Sequence, residues 1–316
     1  PGSTGPWVGG EPSSRSSGPA WVLSTPELPE VEALVQFLDL RTRGRRVARV
    51  ELTSISALRT VQPGIERLVG GEIVGWSRRG KFLCLDAGGI WLVVHLARDG
   101  WVKWYDRLPQ TAGTLGRGPL ALRLGLASGL GGAEVSGFDL TEIGTQKRLS
   151  LWVVEDPDQI ESVARLGADP LDSAFDVAAL ARVLGGSEES LKSALTNQSV
   201  LSGIGNAYSD EVLHAARLSP FKLARSLSEP QLTALHASLV NLLGSAVAER
   251  LGLGAEELKQ SKRRAFRVHG RTGAACPDCG DTIRQVAYTT RSLQYCPTCQ
   301  TGGRPLADRR LSRLLK

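Results

Sequence analysis

The chain has 316 residues, 41% of them apolar and 22% charged, a length typical of about two domains and a composition too apolar for a wholly disordered chain. Its longest apolar stretches, such as Ile90–Ala97, fall well short of the roughly 20 residues a membrane helix needs. No charged start followed by an apolar block marks a secretory signal, so a soluble intracellular protein is expected. The net charge of +6 is unevenly placed: Leu258–Lys316 carries 13 Lys/Arg against three Asp, and the remainder 25 against 29 Asp/Glu. Such a basic end suits either a polyanionic partner or a solvated tail.

Residues 1–25 are rich in Gly, Pro and Ser without an apolar period, as in a flexible tail or a cloning remnant. The sequence contains no methionine and starts at Pro1, so an initiator has been removed or the natural start lies elsewhere. Pro29–Arg41 places Val31, Leu34, Val35 and Leu38 at helical spacing, with a proline and carboxylates in the first turn, and predicts an amphipathic helix. Short β-rich runs follow from Arg46 to about Val154: VARVELTSI, GEIVGWSRR, KFLCLDAG, IWLVVHLA, LALRLGL and RLSLWVV. Their close spacing predicts an antiparallel sandwich or barrel with the first helix alongside. Cys84, inside an apolar run, reads as a buried hydrophobe.

Asp156–Asp172 is rich in Pro and Asp and reads as an interdomain linker. Helical periods resume from Val177 to about Lys259. The last segment, Ser261–Gln300, is short-stranded, basic and cysteine-bearing. The expected organisation is an α+β multidomain chain. It comprises a β-sandwich over 26–155, a linker over 156–176, a helical domain over 177–260, a metal-type finger over 261–303 and a basic tail over 304–316.

Cys276-Pro-Asp-Cys279 and Cys296-Pro-Thr-Cys299 stand 16 residues apart. Paired Cys-x-x-Cys turns at this separation are the signature of one structural zinc held by four thiolates, with two disulfides as the alternative. A closed site of this kind supplies folding energy that so short a segment cannot draw from its own core. Arg284 and Arg291 lie between the pairs, and Arg263, Arg264, Arg267 and Arg271 precede them. A rigid basic hairpin suits contact with nucleic acid.

Four segments occur in one order: Pro26-Glu27-Leu28-Pro29-Glu30-Val31-Glu32, Gly80-Lys81-Phe82-Leu83, Gly203-Ile204-Gly205-Asn206-Ala207-Tyr208 and the four-cysteine finger. In this the chain resembles the formamidopyrimidine-DNA glycosylase and endonuclease VIII family of base-excision repair enzymes, from Pro26 to about Gln300. The resemblance implies a bilobed clamp: an N-terminal sandwich with a flanking helix, a helix–two-turn–helix domain and a zinc finger. It also implies a partner, duplex DNA carrying damaged bases or abasic sites, with the target base extruded from the stack. A monomer working in the cytoplasm on the nucleoid follows. By resemblance Pro26 is the amine nucleophile, Glu27 the acid/base carboxylate and Glu30 its support. Lys81 meets the phosphate beside the lesion. Asn206, capping a helix over Ala207–Arg217, Lys192 and Arg291 contact the DNA backbone.

The sequence departs from the family pattern at three places. Thr25 precedes Pro26, and a proline nitrogen in a peptide bond is an amide without nucleophilic character. The tail is an artefact, is removed, or marks a protein without the lyase step; the sequence leaves all three open. Arg98 replaces the usual methionine wedge in His95-Leu96-Ala97-Arg98-Asp99-Gly100 and would fill the emptied stack with its guanidinium. Asp139–Gly144 corresponds to the loop that reads the orphaned base, with Glu142 and Ile143 where an arginine and an aromatic residue are usual.

Overall fold

The computed structural model describes residues 25–111, 113–127, 134–261, 266–288 and 292–306. The first helix, α1 (Leu28–Thr42), starts where the sequence signals do. Glu27 is its N-cap and a capping box closes over it: the Glu27 carboxylate accepts the Glu30 N–H, and the Glu30 carboxylate accepts the Glu27 N–H at 2.9 Å. Two otherwise orphaned amides are thereby satisfied. Val31, Leu34, Val35 and Leu38 enter the core of the sandwich, whereas Leu28, one turn earlier, enters the core of the helical domain. One helix is thus shared between two cores, and the residues before it are fixed at their junction.

The sandwich is built of β1 (Val47–Leu52), β2 (Gly75–Arg79), β3 (Phe82–Asp86), β4 (Trp91–His95), β5 (Gly100–Tyr105), β6 (Leu120–Ala127), β7 (Glu134–Glu142) and β8 (Ser150–Val154). They form two four-stranded antiparallel sheets, ordered β1-β6-β7-β5 and β2-β3-β4-β8. Alternate residues such as Leu83, Leu85, Leu92 and Val94 from one sheet meet Leu122, Leu124, Phe138 and Leu140 from the other, as the two-residue period of strands requires. Asp139–Glu142, read from the sequence as part of a base-reading loop, instead completes β7. The buried Asp139 carboxylate takes two hydrogen bonds from Arg123, at 2.7 and 2.9 Å, and the connecting loop begins only at Ile143. Cys84 is fully buried, as its apolar run suggests.

The 156–176 stretch carries a 3-10 turn and a short helix, α2 (Glu161–Ala164), whose Val163 packs with Ile160 against Phe82, Cys84 and Val93. Beyond it lie α3 (Val177–Gly185), α4 (Leu191–Thr196), α5 (Asn206–Ala215) and α6 (Glu229–Ala248). Asp176 and Ser190 cap α3 and α4 by accepting amides of the first turn. With 20 residues and a mean hydropathy of 1.2, α6 is the described helix long and apolar enough to cross a membrane. In the fold its Leu235, Leu239, Leu243 and Ala246 lie in the helical core beside α3 and α5 residues. A further helix, α7 (Ala255–Ser261), returns to the sandwich, burying Ala255 and Leu258 there, and Trp101 Nε1 donates to the Ala255 carbonyl at 2.6 Å.

The last module pairs β9 (Arg284–Ala287) with β10 (Ser292–Tyr295) and ends in α8 (Pro297–Thr301). Among the described residues its buried apolar content is two small clusters: Val268 and Ile283 with Cys276 and Cys296, then Val286, Leu293 and Tyr295.

Candidate functional site

The Gly203-Ile204-Gly205 segment brings the start of α5 against the residues that precede α1. Leu28 N–H donates to the Gly203 carbonyl at 2.9 Å. The Glu27 carboxylate, 2% exposed, accepts N–H groups from Gly205 at 2.7 Å, Ala207 at 3.0 Å and Tyr208 at 3.2 Å. The spacing of the two glycines has a steric cause. Gly203 has φ +84°, and a Cβ there would lie 2.8 Å from Leu28 Cβ; a Cβ on Gly205 would lie 2.5 Å from the Glu27 carboxyl carbon. A carboxylate from 178 residues upstream therefore occupies the anion site that a helix N-terminus offers. Pro26, also buried, is the residue before it.

This differs from the cap expected of Asn206. Gly205 is the N-cap and makes no side-chain cap hydrogen bond; Asn206 lies within the helix and sends its Nδ2 to the Ser292 carbonyl of the finger, at 2.7 Å. Glu27 already satisfies the amides that the Asn side chain would have capped.

Behind Glu27 is a buried polar cluster that sequence reasoning did not find beyond Glu30. Glu30 Oε1 accepts the Tyr208 hydroxyl at 2.9 Å and faces Arg250 Nε at 3.4 Å, an ion pair between side chains 1% and 2% exposed. Arg250 also donates Nη1 to the Ala246 carbonyl at 2.6 Å. Burial and the neighbouring Glu30 charge push the Tyr208 phenol far above its usual range, so it acts as a donor. Tyr208 was visible in the glycine-rich segment; nothing local to Arg250 announced its partner.

Lys81 lies in the β2–β3 turn. Gly80 beside it packs so that an added Cβ would be 3.2 Å from Leu166 and 3.3 Å from Ser202; Gly203, which receives Leu28, is the next residue. The Lys81 turn and the Pro26–Glu27 segment thus converge on one stretch of chain. His95 pairs in register with Phe82, and burial, then the Lys81 charge, hold its imidazole down at about 4. Arg98 is exposed in the β4–β5 turn, after Ala97 at φ +53°. Glu142 does not point outward as a base reader would: it is buried and accepts the Arg148 and Leu149 amides at 2.7 and 3.0 Å. Ile143 is 63% exposed, and its N–H reaches the Asp99 carbonyl at 3.4 Å, which sets an apolar side chain beside the Arg98 turn.

Lys192 is buried, and its ammonium donates to the Asn206 carbonyl at 2.7 Å, Ser209 Oγ at 2.8 Å and Asp210 Oδ1 at 2.5 Å. With three donors engaged inside the protein, it organises the start of α5 instead of presenting an outward ammonium. Asp210 continues the chain of contacts into the finger, accepting from Gln294 N–H at 3.1 Å and pairing with His269 Nδ1 at 2.7 Å. Glu211 accepts the amides of Arg267, Val268 and His269 at 2.7–3.0 Å. Arg291, expected on the DNA backbone, lies outside the described residues, as do Arg263 and Arg264.

Cys276, Cys279, Cys296 and Cys299 place all four sulfurs within 4.8 Å of one another, with Cys276–Cys299 at 3.9 Å and Cys279–Cys296 at 3.4 Å. No disulfide joins them. Zinc–sulfur bonds of about 2.3 Å at tetrahedral angles set sulfurs about 3.8 Å apart, so the cluster fits that ion. Burial pushes the Cys296 thiol up to about 11 and the Cys299 thiol higher still; four thiolates share this space only around a cation.

Residues 25–140 match the formamidopyrimidine-DNA glycosylase N-terminal domain, and residues 166–256 match the formamidopyrimidine-DNA glycosylase H2TH domain. A formamidopyrimidine-DNA glycosylase of Rhodococcus erythropolis is 33% identical over 288 residues, covering 87% of this chain and 96% of that protein. An uncharacterized formamidopyrimidine-DNA glycosylase-like protein of Mycobacterium tuberculosis is 54% identical over 151 residues, 48% of this chain and 94% of that one. The structure of the Lactococcus lactis enzyme, non-covalently bound to DNA containing an abasic site, superposes with a TM-score of 0.72 at 27% identity, covering 87% of this chain and 99% of that chain. With the shared helix α1, the carboxylate-capped α5 and the four-cysteine cluster, these likenesses establish that the chain belongs to the formamidopyrimidine-DNA glycosylase and endonuclease VIII family of DNA repair proteins.

Proposed function

We propose that the protein excises damaged bases from duplex DNA and then opens the abasic site, with Pro26 as the covalent nucleophile. The observation that carries this reading is the position of Pro26. It immediately precedes a carboxylate fixed by three amides at the N-terminus of α5, where the Lys81 turn also converges.

In the present chain the Pro26 nitrogen is acylated by Thr25 and its lone pair is delocalised. Once the Thr25–Pro26 bond is hydrolysed, the neutral secondary amine attacks C1′ of the deoxyribose. The C1′–base bond breaks, and the base leaves with the bonding pair and takes a proton. The nitrogen then gives up its proton, its lone pair closes on C1′ as the C1′–O4′ bond breaks, and O4′ takes a proton, which opens the sugar ring and gives an iminium. Loss of a C2′ proton then expels the 3′ phosphate, and water hydrolyses the iminium to free the amine. Glu27 is suited to carry protons at the sugar. The Glu30–Tyr208–Arg250 cluster positions Glu27 through the Glu27 N–H, which donates to Glu30. Lys81 supplies positive charge for the phosphate beside the lesion, and Arg98, with Ile143 next to it, is the pair at the rim suited to fill the space left by the extruded base. Cys276, Cys279, Cys296 and Cys299 would hold one structural zinc, which supplies folding energy to the finger and takes no part in the chemistry.

The Thr25–Pro26 bond itself supports a second reading: a binder of damaged or abasic DNA with the same clamp and no lyase step. The two separate in one experiment. The full chain and a version starting at Pro26 are incubated with an abasic duplex and borohydride, which reduces an iminium to a stable amine. The first reading expects a cross-link only with the trimmed protein, lost when its terminal Pro26 amine is acetylated. A trimmed protein that binds the duplex and never cross-links would establish the second.

A further inference from the structure

One residue at the far end of α5 has no place in the chemistry above. His214 is 1% exposed, and its Nε2 lies 3.3 Å from Cys276 Sγ. The next acceptor is Asp278 Oδ2 at 3.7 Å, and Asp278 is also paired with Arg267. The other ring nitrogen, Nδ1, is buried and has no hydrogen-bond partner among the described residues. Of the two neutral tautomers, the one with the proton on Nδ1 buries a donor with nothing to receive it. The one with the proton on Nε2 directs that donor at sulfur.

We propose that His214 is an outer-sphere positioning residue of the cysteine centre, donating Nε2–H to the Cys276 thiolate. The inference rests on the four cysteines holding a metal. A hydrogen bond to a coordinating sulfur draws off part of its charge and fixes its lone pairs, the part outer-sphere groups commonly play at metal sites. Here the group comes from the helical domain and not from the finger. The ten residues of α5 span roughly 15 Å, with Glu27 on the amides of one end and the Cys276 sulfur at the other. Asp210 and Glu211, between these ends, hold the strand and loop leading to the centre. The metal is thereby linked to the helix that positions Glu27.

The test uses the full chain. Zinc content of the wild type is measured first, then release to a chromophoric chelator from wild type, His214→Phe and His214→Gln, the last keeping an N–H at the end of a side chain of similar reach. Phe should release zinc about 10- to 100-fold faster, the range typical of lost outer-sphere partners, with Gln intermediate. In the cobalt-substituted proteins Phe should move the sulfur-to-metal charge-transfer band to lower energy while the four-sulfur ligand-field pattern stays. Nitrogen-15 NMR of the zinc-loaded wild type reads the tautomer without any substitution, and should find Nε2 protonated. An unprotonated Nε2, or Phe release within twofold of wild type with an unmoved cobalt band, would overturn the inference while leaving the metal centre standing. A wild-type chain that binds no zinc would overturn both.

Discussion

The sandwich and the finger are held together by opposite means. The sandwich buries apolar residues from both sheets, α1 and α7 around one cluster. The finger has two clusters of a few side chains and leans on α5, whose Asp210, Glu211 and His214 each reach into it. Where buried area is ample, the hydrophobic term sets the fold. Where it is scarce, charge-assisted hydrogen bonds to backbone amides take a larger share, and the four-cysteine cluster is placed to add a metal. The same polar tethers tie the finger to the candidate site, a connection an apolar core would not provide.

The sharpest way to break this contrast is to disable the four-cysteine cluster, which would hold the zinc proposed above. Cys296→Ser, or chelation under reducing conditions, should unfold the finger and leave the sandwich folded. Structural zinc typically contributes on the order of 10 kcal/mol to such a module. Limited proteolysis followed by mass analysis would then find cleavage within 266–306 and a protected fragment over 26–155. Simultaneous loss of both regions would show that they do not differ in the way described. The buried pair behind Glu27, where the sandwich meets the helical domain, offers the next largest effect. Arg250→Ala removes the Arg250 charge from beside the buried Glu30, and breaking a buried pair in this way costs about 3–5 kcal/mol. Urea unfolding should register that loss, and Glu30→Gln in the Arg250→Ala background should recover part of it by removing the buried charge. A loss of less than about 1 kcal/mol, the range of an exposed pair, would mean that the pair is not desolvated.

How much of this was legible in the sequence follows the same division. The α1 face, most strands of the sandwich and the four-cysteine cluster are local patterns of period or spacing, and the fold repeats them. β7 was not recognised because it buries Ser136, Asp139 and Glu142; Asp139 lies on the face opposite Phe138 and Leu140, and the Arg123 that pairs with it there is visible only once β6 lies alongside. β5 was missed beside it, starting at Gly100 with few cues of its own. Within the site, Glu27 was found from its motif, but its role as the cap of α5 joins residues some 180 positions apart. Local reasoning gave that cap to Asn206, the residue nearest in sequence. Lys192 was placed on the DNA backbone by resemblance alone, and its buried partner, Asp210, is 18 residues away on another helix. Side chains whose partners come from another element are those that a single sequence hides.

The sandwich has a smaller polar vulnerability of its own, and pH exposes it. His95 is held at about 4 by burial and by the Lys81 charge, against about 6.5 in an unfolded chain. Between those values the unfolded state binds a proton that the folded state does not, so stability increases with pH across this window and is lost as pH falls from about 6.5 toward 4. From pH 7 to pH 5 the expected loss from this residue is on the order of 1–2 kcal/mol. The buried His214 is shifted down as well, chiefly by its own burial, so wild type alone does not isolate the effect. The comparison of wild type with His95→Gln does: the variant's urea midpoint should fall less between pH 7 and pH 5. Because β4 pairs with β3 at Phe82, the difference should appear in the transition of the sandwich and be absent from metal release by the finger. Parallel pH slopes for the two proteins would mean that His95 is solvated and that Lys81 does not face it.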